Sequence, residues 1–243
     1  MEKAIKNLKI LQWNCRSVLS KVSVLSKYIY DFDICLLSET WLIPKNKLYF
    51  KNYDIIRVDR SNNNKKGGGV AIIIKNKFKY KVRKQLWNCK DKLEVVAIDI
   101  YRCNNEPMTI ASCYRPPNND LITNEEWCRF FKQFQRSFLI TGDFNAHHYS
   151  WSDLSSCSHG NNLYQATLET DIALVNSKQP TYINMHYSTE SSLDLAFSDW
   201  NSLLSLNWKV CDDTWGSDHF PIFITYNEQV KTNQSFRMSR IYS

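Results

Sequence analysis

Glycine and proline are scarce in this chain, with six of each among 243 residues, and no segment is dominated by one residue type. Disordered and low-complexity chains are usually enriched in such residues, so their scarcity predicts a chain that is folded over most of its length. No apolar run approaches the ~20 residues that a membrane-spanning helix requires. The polar N-terminal segment MEKAIKNLKILQWN lacks the apolar stretch of a secretory signal, which predicts an intracellular protein without membrane spans.

Paired cysteines are missing as well. The eight cysteines are dispersed and none forms a C-x-x-C pair, so a structural zinc site is poorly supported. Cys35 and several others lie in apolar runs, where reduced and buried thiols are expected. His147 and His148 precede Cys157 and His159, but this spacing matches no common zinc motif, and the two histidines are predicted to shape a loop.

Charge and composition leave more than one interpretation open. The chain carries 31 basic and 24 acidic side chains, and its formal charge of +7 suits a polyanionic partner such as nucleic acid. The same excess could serve solubility alone. With 43% hydrophobic residues the chain can bury one sizeable core. We predict one domain over residues 1–226 and a polar tail or linker over residues 227–243.

Short apolar runs alternate with helical periods along the chain. The runs at 8–13, 33–39 and 138–145 are nearly continuous, as expected of strands that are buried on both faces. Five further runs between residues 53 and 114 follow one another at short intervals, which predicts neighbouring and largely antiparallel strands. Four more apolar runs in the last third of the chain predict a second set of strands.

Three helices are predicted between these strands. Ser17 is expected to cap the first, and Thr123 forms a capping box with Glu126 at the start of the second. The third spans residues 159–171. Strand–helix–strand units at both ends of the chain predict an α/β fold in which two mixed sheets pack face to face with the helices outside.

Several apolar strands end in, or lie beside, a polar residue that can bind a metal ion or a phosphate. Strand ends from distant parts of a chain can converge on one rim of a sheet, so these residues form the candidate site. They are Asn14, Glu39, Asp143, Asn145, Asp194 and the triplet Ser217, Asp218 and His219.

The chemical types in this set suit the hydrolysis of a phosphodiester. Mg²⁺ prefers oxygen ligands and usually keeps several waters, and Glu39 is the leading ligand candidate, assisted by Asn14 and Asp218. Asp143 could orient or deprotonate the attacking water, and Asn145 could donate a hydrogen bond to a phosphate oxygen.

A histidine and an acid complete the candidate chemistry. His219 could contact the scissile phosphate, and its other ring nitrogen then needs a carboxylate partner, for which Asp194 is the candidate. Each residue alone has a common structural explanation, as a cap or as a hydrogen-bonded core residue. The spacing by itself does not identify the reaction.

Six motifs follow one another along the chain: QWN (12–14), SETW (38–41), SCYRPP (112–117), GDFN (142–145), SLDLAFS (192–198) and SDHFPI (217–222). In this order they resemble the endonuclease/exonuclease/phosphatase superfamily. The segment GDFNAHHYSW (142–151) is especially similar to the endonuclease domains of non-LTR retrotransposons, the jockey- and LINE-like elements. The resemblance covers residues 8–226.

The resemblance implies a four-layer α/β sandwich and a Mg²⁺-dependent enzyme, with Mn²⁺ as a substitute ion, that nicks one strand of double-stranded DNA. In such elements the nick leaves a 3′-hydroxyl that primes reverse transcription of the element's RNA. It also implies a monomeric domain that is fused to a reverse transcriptase and acts in the nucleus or elsewhere inside the cell. An abasic-site repair endonuclease, a phosphatase of the same superfamily and a non-catalytic nucleic-acid-binding module stay open as alternatives.

The motifs also imply roles for individual residues. Asn14 and Glu39 fall on metal-site positions, and Tyr114 falls on a phosphate-contacting tyrosine. Asp143 and Asn145 fall on the pair that activates water.

The last two motifs and the QPTY segment extend these assignments. Asp194 and His219 fall on an Asp–His dyad, and Asp218 falls on an acid beside the metal. Thr181, within QPTY, falls on a threonine near the phosphate.

Arg16 departs from some repair-type relatives, which carry an acidic residue at this position. The departure favours a single metal ion and makes Arg16 a candidate DNA contact, with an ordinary surface arginine as the alternative. Arg115, Thr181 and Ser217 are the other candidate DNA contacts. The segment 182–191 is polar with interleaved aromatics, which fits either a hairpin that helps to choose the target site or an ordinary exposed hairpin.

Overall fold

Two six-stranded sheets form the centre of the structure. The computed structural model describes residues 7–60, 67–101, 107–118, 120–135, 137–151 and 155–227. The described helices are α1 (Val18–Tyr28), α2 (Asn124–Phe131), α3 (Ser158–Glu169) and α4 (Trp200–Leu203), and a 3-10 turn, Ile29–Asp31, follows α1. The described strands are β1 (Asn7–Asn14), β2 (Ile34–Ser38), β3 (Tyr53–Val58), β4 (Val70–Lys75), β5 (Tyr80–Val82), β6 (Glu94–Tyr101), β7 (Pro107–Tyr114), β8 (Phe138–Asp143), β9 (Ala173–Leu174), β10 (Tyr182–Asn184), β11 (Thr189–Ser191), β12 (Asp194–Ser198), β13 (Leu206–Val210) and β14 (Ile222–Asn227).

The two sheets share one pattern of strand directions. The first has the order β13-β14-β1-β2-β4-β3 and the second has the order β5-β6-β7-β8-β12-β9, while β10 and β11 form a separate hairpin. In each sheet one parallel pair, β1 with β2 or β7 with β8, is flanked by antiparallel pairs. Helices α1 and α2 lie in the crossovers between the parallel partners, because parallel strands cannot be joined by a tight turn.

Alternating side chains build the apolar layers of the fold. Ile10 of β1 and Ile110 of β7 point into the core between the sheets. Trp13, on the opposite face of β1, packs with α1, whereas Phe131 of α2 and Leu163 of α3 cover the outer face of the second sheet. The order of layers is helix, sheet, sheet, helix, which confirms the predicted four-layer α/β sandwich with mixed sheets.

The predicted run of neighbouring strands is wrong in one respect. Strands β3 and β4 pair in the first sheet, whereas β5, β6 and β7 form a meander in the second. The connection between β4 and β5 therefore changes sheet. Local apolar periodicity cannot reveal this change, because strands of both sheets turn an apolar face toward the same core.

Of the two predicted helix caps, the one at Thr123 forms and the one at Ser17 does not. The Thr123 hydroxyl accepts the N–H of Glu126 at 3.2 Å and the Glu126 carboxylate accepts the N–H of Thr123 at 3.0 Å, which confirms the capping box. Ser17 makes no side-chain capping bond and has a φ of +85°. Its N–H instead donates to the carbonyl of Glu39 at 2.8 Å, so the predicted Ser17 cap is wrong. The segment that follows β2 holds the start of α1.

Strand register brings the polar strand ends to one rim of the two sheets. In the first sheet Asn14 lies level with Ser38, the last residue of β2. In the second sheet Asp143 lies level with Tyr114 of β7 on one side and with Asp194 of β12 on the other. Pairings between strands that are far apart in sequence therefore set the spacing of these side chains.

The cysteines and the chain ends follow the sequence where the structure describes them. All seven described cysteines are free thiols and five of them are buried, as predicted, while Cys103 lies outside the described residues. None of the helices within the described ranges is long and apolar enough to cross a membrane. The predicted tail lies outside the described residues except for Asn227, which ends β14.

Candidate active site

The side chain of Asn14 is the centre of a hydrogen-bond network at the rim. It is fully buried at the end of β1. Its amide nitrogen donates to Oδ2 of Asp143 at 2.9 Å and to Oε1 of Glu39 at 3.3 Å, and it lies 3.4 Å from Nε2 of His219. Because Glu39 follows β2 and Asp143 ends β8, one amide group links the two sheets.

His219 and Asp194 form a buried dyad. Nδ1 of His219 lies 2.7 Å from Oδ2 of Asp194, whose Oδ1 accepts the side-chain amide of Gln12 at 2.9 Å. Burial lowers the pKa of His219, but the charge and hydrogen bond of Asp194 outweigh burial and hold the pKa above its ordinary value. Nε2 of His219 lies 3.9 Å from Oδ2 of Asp143, so the dyad directs this ring nitrogen toward the second acid of the site.

Asp143 is held in a tight turn by donors from Asn145. The Asn145 N–H donates to Oδ1 of Asp143 at 2.9 Å, and the Asn145 side-chain amide donates to Oδ2 at 3.0 Å. Burial raises the pKa of Asp143; the charge of His219 opposes this, but Asp194 and Glu39 keep the pKa above the ordinary range of an aspartate. A carboxylate with a raised pKa is a better proton acceptor near neutral pH.

Gly142 lets this turn form beside β7. Its φ of +153° is accompanied by a very close approach of the Cys113 backbone, and a Cβ at this position would overlap the Cys113 carbonyl. The parallel pairing of β7 with β8 therefore requires glycine at the second-to-last position of β8, directly before Asp143.

Glu39 occupies the partly exposed side of the network. It has a φ of +51°, which is uncommon for a residue with a side chain. Its Oε1 accepts the Tyr114 hydroxyl at 2.8 Å and its Oε2 accepts the Trp41 indole N–H at 3.0 Å. In the described part of the chain, no lysine or arginine forms an ion pair with Glu39 or Asp143. The two carboxylates thus face one amide group, and the cationic side chain beside them is His219, whose Nε2 lies 3.9 Å from Oδ2 of Asp143.

The donor set fits a magnesium ion. Glu39 offers carboxylate oxygens, the hard donors that Mg²⁺ prefers. The Asn14 amide oxygen accepts the N–H of Arg16 at 3.2 Å and keeps a second lone pair for an ion. Among the residues that the structure describes, no three His, Cys, Asp or Glu side chains are grouped as a metal-binding cage.

Arg16 is paired with an acid of the site. Its Nη1 lies 2.6 Å from Oδ2 of Asp218, and half of the Arg16 side chain is exposed. Asp218, the predicted third metal ligand, is therefore already neutralised by a side-chain cation. Glu39 and Asn14 are the better-placed ligand candidates.

Arg115 is buried among backbone carbonyls. It is only 3% exposed, and its Nε donates to the carbonyl of Phe144 at 2.7 Å. Nη2 donates to the carbonyl of Asn145 at 2.7 Å and Nη1 donates to that of Pro116 at 2.9 Å. Backbone carbonyls thus occupy the guanidinium, and the phosphate contact stays a prediction. Arg115 fixes the turn that carries Asn145.

Thr181 and Ser217, two further predicted DNA contacts, are also buried. The Thr181 hydroxyl accepts the N–H of Leu193 at 3.1 Å and the N–H of Asp194 at 2.9 Å. The Ser217 hydroxyl donates to the carbonyl of Asn14 at 2.8 Å. Both residues brace the network from behind, and Arg16 is the one predicted DNA contact whose side chain is half exposed.

We expect Arg115→Lys to destabilise the protein by about 2–4 kcal/mol, because a single ammonium cannot replace three donors in a fixed fork and buried carbonyls lose their partners. Urea unfolding measures this change. Arg16→Gln is the matched control and should cost at most about 1 kcal/mol, since its ion pair is exposed. If Arg115→Lys instead left stability unchanged and lowered the affinity for DNA, Arg115 would be a phosphate contact.

The histidine pair shapes a loop, as predicted. The His147 N–H donates to Sγ of Cys157 at 3.4 Å, and the Cys157 N–H donates to the carbonyl of His147 at 3.0 Å. The His148 ring stacks on Tyr164 with a centroid distance of 4.2 Å. These contacts tie the segment after β8 to the start of α3 and to Tyr164 within it.

The segment 182–191 forms the hairpin of β10 and β11. Met185 is 64% exposed and Tyr187 is 78% exposed at its tip. At its base, the Tyr182 ring lies 4.8 Å from the His219 ring, centroid to centroid. The hairpin therefore starts at the site and projects into solvent, while a role in choosing the target stays a prediction.

Two contacts of the site were missed although their residues lie within the motifs. Gln12 belongs to QWN and donates to Asp194, and Trp41 belongs to SETW and donates to Glu39. Gln12 precedes Asn14 by two residues and so lies on the same side of β1. The alternation of side chains along β1 could have predicted the place of Gln12 in the site. Trp41 lies outside any strand, so no periodic pattern indicates where its side chain points.

Comparison with known proteins agrees with the resemblance of the motifs. A family model described as endonuclease-reverse transcriptase matches residues 108–223. The RNA-directed DNA polymerase from mobile element jockey of Drosophila melanogaster is 24% identical over 95% of this chain and 25% of its own length. The probable RNA-directed DNA polymerase from transposon X-element of the same species is 28% identical over 90% of this chain and 24% of its own length.

A solved structure shares the fold. The endonuclease domain of TRAS1, a telomere-specific non-LTR retrotransposon, superimposes with a TM-score of 0.72 at 18% identity, covering 91% of this chain and 98% of that domain. The chain spans about a quarter of the length of the curated relatives that it matches. The predicted resemblance to the endonuclease domains of non-LTR retrotransposons is therefore confirmed.

Proposed function

We propose that this chain, which resembles the endonuclease domains of non-LTR retrotransposons, is a Mg²⁺-dependent endonuclease that nicks one strand of double-stranded DNA. One observation carries the proposal. The Asn14 amide lies within hydrogen-bonding distance of both Asp143 and Glu39 and beside His219, which joins a general-base candidate, a metal-ligand candidate and a buried His–Asp dyad. Phosphodiester hydrolysis needs these three components at one place.

Glu39 and Asn14 would hold the ion. When it is bound, Mg²⁺ supplies positive charge to the phosphate as negative charge develops on its oxygens. The Tyr114 hydroxyl, which donates to Glu39 at 2.8 Å, stands next to this position and can turn to a phosphate oxygen. Trp41 holds the other oxygen of Glu39 and so fixes the direction of the carboxylate.

Asp143 would take the proton of the attacking water. Its raised pKa suits this role, since a general base works best when its pKa lies near the working pH. Asn145 fixes both carboxylate oxygens of Asp143 and can donate to a bound phosphate. His219, kept protonated by Asp194, would donate from Nε2 to a non-bridging phosphate oxygen.

The wider role of the domain is part of the proposal. The matching relatives are named as RNA-directed DNA polymerases and are about four times longer than this chain, which supports a fusion to a reverse transcriptase. Cleavage that leaves a 3′-hydroxyl would then prime reverse transcription at the nick. Such integration places the activity in the nucleus. The positive charge of the chain suits binding to the DNA backbone.

Nicking of supercoiled plasmid tests the function. The protein should convert supercoiled to open-circular DNA with Mg²⁺ or Mn²⁺, lose this activity with EDTA, and regain it when Mg²⁺ is restored. A DNA polymerase should extend the nicks without prior end repair, because the product carries a 3′-hydroxyl. Strong preference for an abasic duplex would favour the repair alternative. Phosphate release without nicking would favour a phosphatase, and DNA binding without turnover would favour a binding module.

A further inference from the structure

Arg60 belongs to none of the six motifs, yet its guanidinium lies beside the candidate active site. Its Nε is 2.5 Å from Oε1 of Glu94, the first residue of β6. The other oxygen of Glu94 accepts the N–H of Gly69 at 2.5 Å. Glu94 therefore clamps Arg60 to the glycine segment, residues 67–69, which leads into β4.

The guanidinium of Arg60 also lies over the ring of Tyr114. The distance from Cζ of Arg60 to the centroid of this ring is 5.7 Å, within the range of a cation–π contact. The hydroxyl of the same ring donates to Glu39. One Arg60 nitrogen, Nη2, is buried and has no hydrogen-bond partner. The side chain therefore lies over the ring of Tyr114 although one of its donors stays unsatisfied there.

The glycine segment holds this arrangement in place. Gly68 has a φ of +73°, and a Cβ on it would overlap the Arg60 guanidinium. The carbonyl of Gly68 accepts the N–H of Trp41 at 2.9 Å, and that of Gly69 accepts the N–H of Thr40 at 3.1 Å. The backbone that packs on Arg60 thus also braces the residues directly after Glu39.

We propose that Arg60 is a positioning residue that acts through Tyr114, holding its ring so that the hydroxyl stays between Glu39 and the substrate phosphate. The inference rests on the proposed function, because it assigns Arg60 to the same reaction. A guanidinium that Glu94 clamps over the ring restricts the rotation of the ring about its Cβ–Cγ bond and its tilt. The hydroxyl is then preorganised, and less ordering is needed when the phosphate binds.

A double-mutant cycle tests this connection. Arg60→Met should lower kcat for plasmid nicking by about 10- to 100-fold with KM for DNA nearly unchanged, because the lost alignment matters most in the transition state. Tyr114→Phe should lower kcat to a similar extent. In the Tyr114→Phe background, Arg60→Met should have an effect of less than about 3-fold, because residues that act as a unit are not additive.

Matched variants separate positioning from charge and from stability. Arg57→Met removes an ion pair with Asp59 at the end of β3, where the side chain is about as exposed as that of Arg60, and should keep wild-type kcat. Arg60→Lys keeps the charge but not the guanidinium that Glu94 holds over the ring, and should stay impaired. Glu94→Gln loosens the clamp and leaves the Tyr114 side chain itself unchanged, although Glu94 lies opposite Tyr114 in the pairing of β6 with β7. It should lower kcat in the same direction, even if Arg60→Met folds poorly.

Two results would overturn the inference. One is a full effect of Arg60→Met in the Tyr114→Phe background, and the other is recovery of wild-type kcat by Arg60→Lys. A readout without catalysis is the NMR spectrum of protein with ¹³C-labelled tyrosine, in which the Tyr114 signal is identified by its loss in Tyr114→Phe. Arg60→Met should shift this signal and Arg57→Met should not. If the wild-type protein nicks no DNA, the proposed function fails, and an unshifted Tyr114 signal would separately refute the positioning role.

Discussion

Asp143→Asn is expected to lower the rate of plasmid nicking by about 10²- to 10⁴-fold, the effect of removing a general base. The amide keeps the shape of the side chain but cannot accept the proton of the attacking water. Asp143 is fully buried at the end of β8 and accepts hydrogen bonds from Asn14 and Asn145. These donors favour a carboxylate in the resting enzyme, and its raised pKa lets it take a proton near neutral pH.

The measurement is the initial rate of open-circle formation, with DNA affinity determined separately by anisotropy. DNA affinity should change little, because Asp143 lies beneath the site and carries no positive charge. Asp99→Asn is the matched control, since Asp99 lies on β6 of the same sheet and its side chain accepts the Thr109 hydroxyl. The control should nick at the wild-type rate. A rate for Asp143→Asn within about 10-fold of wild type would exclude Asp143 as the general base.

Asp194→Asn is expected to lower the nicking rate by about 10²- to 10⁴-fold through His219. The asparagine can offer its N–H instead of an oxygen to Nδ1, and it removes the charge that holds the pKa of His219 above its ordinary value. A histidine with a raised pKa is protonated up to that pKa. Loss of the charge lowers the pKa, so the protonated ring is lost at a lower pH.

The pH profile of kcat checks this prediction. The alkaline limb should move to lower pH in Asp194→Asn, and part of the activity should return as the pH is lowered. Asp194 is buried and also accepts a hydrogen bond from the Gln12 side-chain amide, so Asp194→Asn can lower stability as well. Thermal unfolding is therefore measured in parallel, and Gln12→Ala shows how much activity is lost when only this supporting hydrogen bond is removed. A wild-type pH profile at reduced rate would show that Asp194 supports the fold and not the protonation of His219.

Local order and chemical type could be predicted from the sequence alone. The capping box of Thr123 and Glu126 was predicted correctly because its partners are three residues apart and the geometry is local. The strand ends at Asn14 and Asp143 were evident because an apolar run stops there. The number of sheets and the outer helices followed from the order of these runs.

Tertiary structure decided what the local pattern could not. The chain after β4 can either add the next strand to the same sheet or cross to the other sheet, and pairings between distant strands decide which. Both arrangements bury the same apolar side chains. The capping prediction for Ser17 failed for a related reason, because its N–H is taken by the carbonyl of Glu39 from another segment. The pairing of Asp194 with His219 likewise depends on where β12 and β14 lie in two different sheets.

The arginines show most clearly the difference between what the sequence determined and what the tertiary structure decided. The sequence by itself determined the fold class, the motif order and the acids, amide and histidine that collect at one rim. Only the tertiary structure placed Arg115 among backbone carbonyls, paired Arg16 with Asp218, and brought Arg60 over Tyr114. A guanidinium can donate hydrogen bonds to carbonyls, carboxylates and phosphates and can pack on aromatic rings. Its role is therefore set by which of these partners the fold brings within reach, and this depends on contacts between residues far apart in sequence.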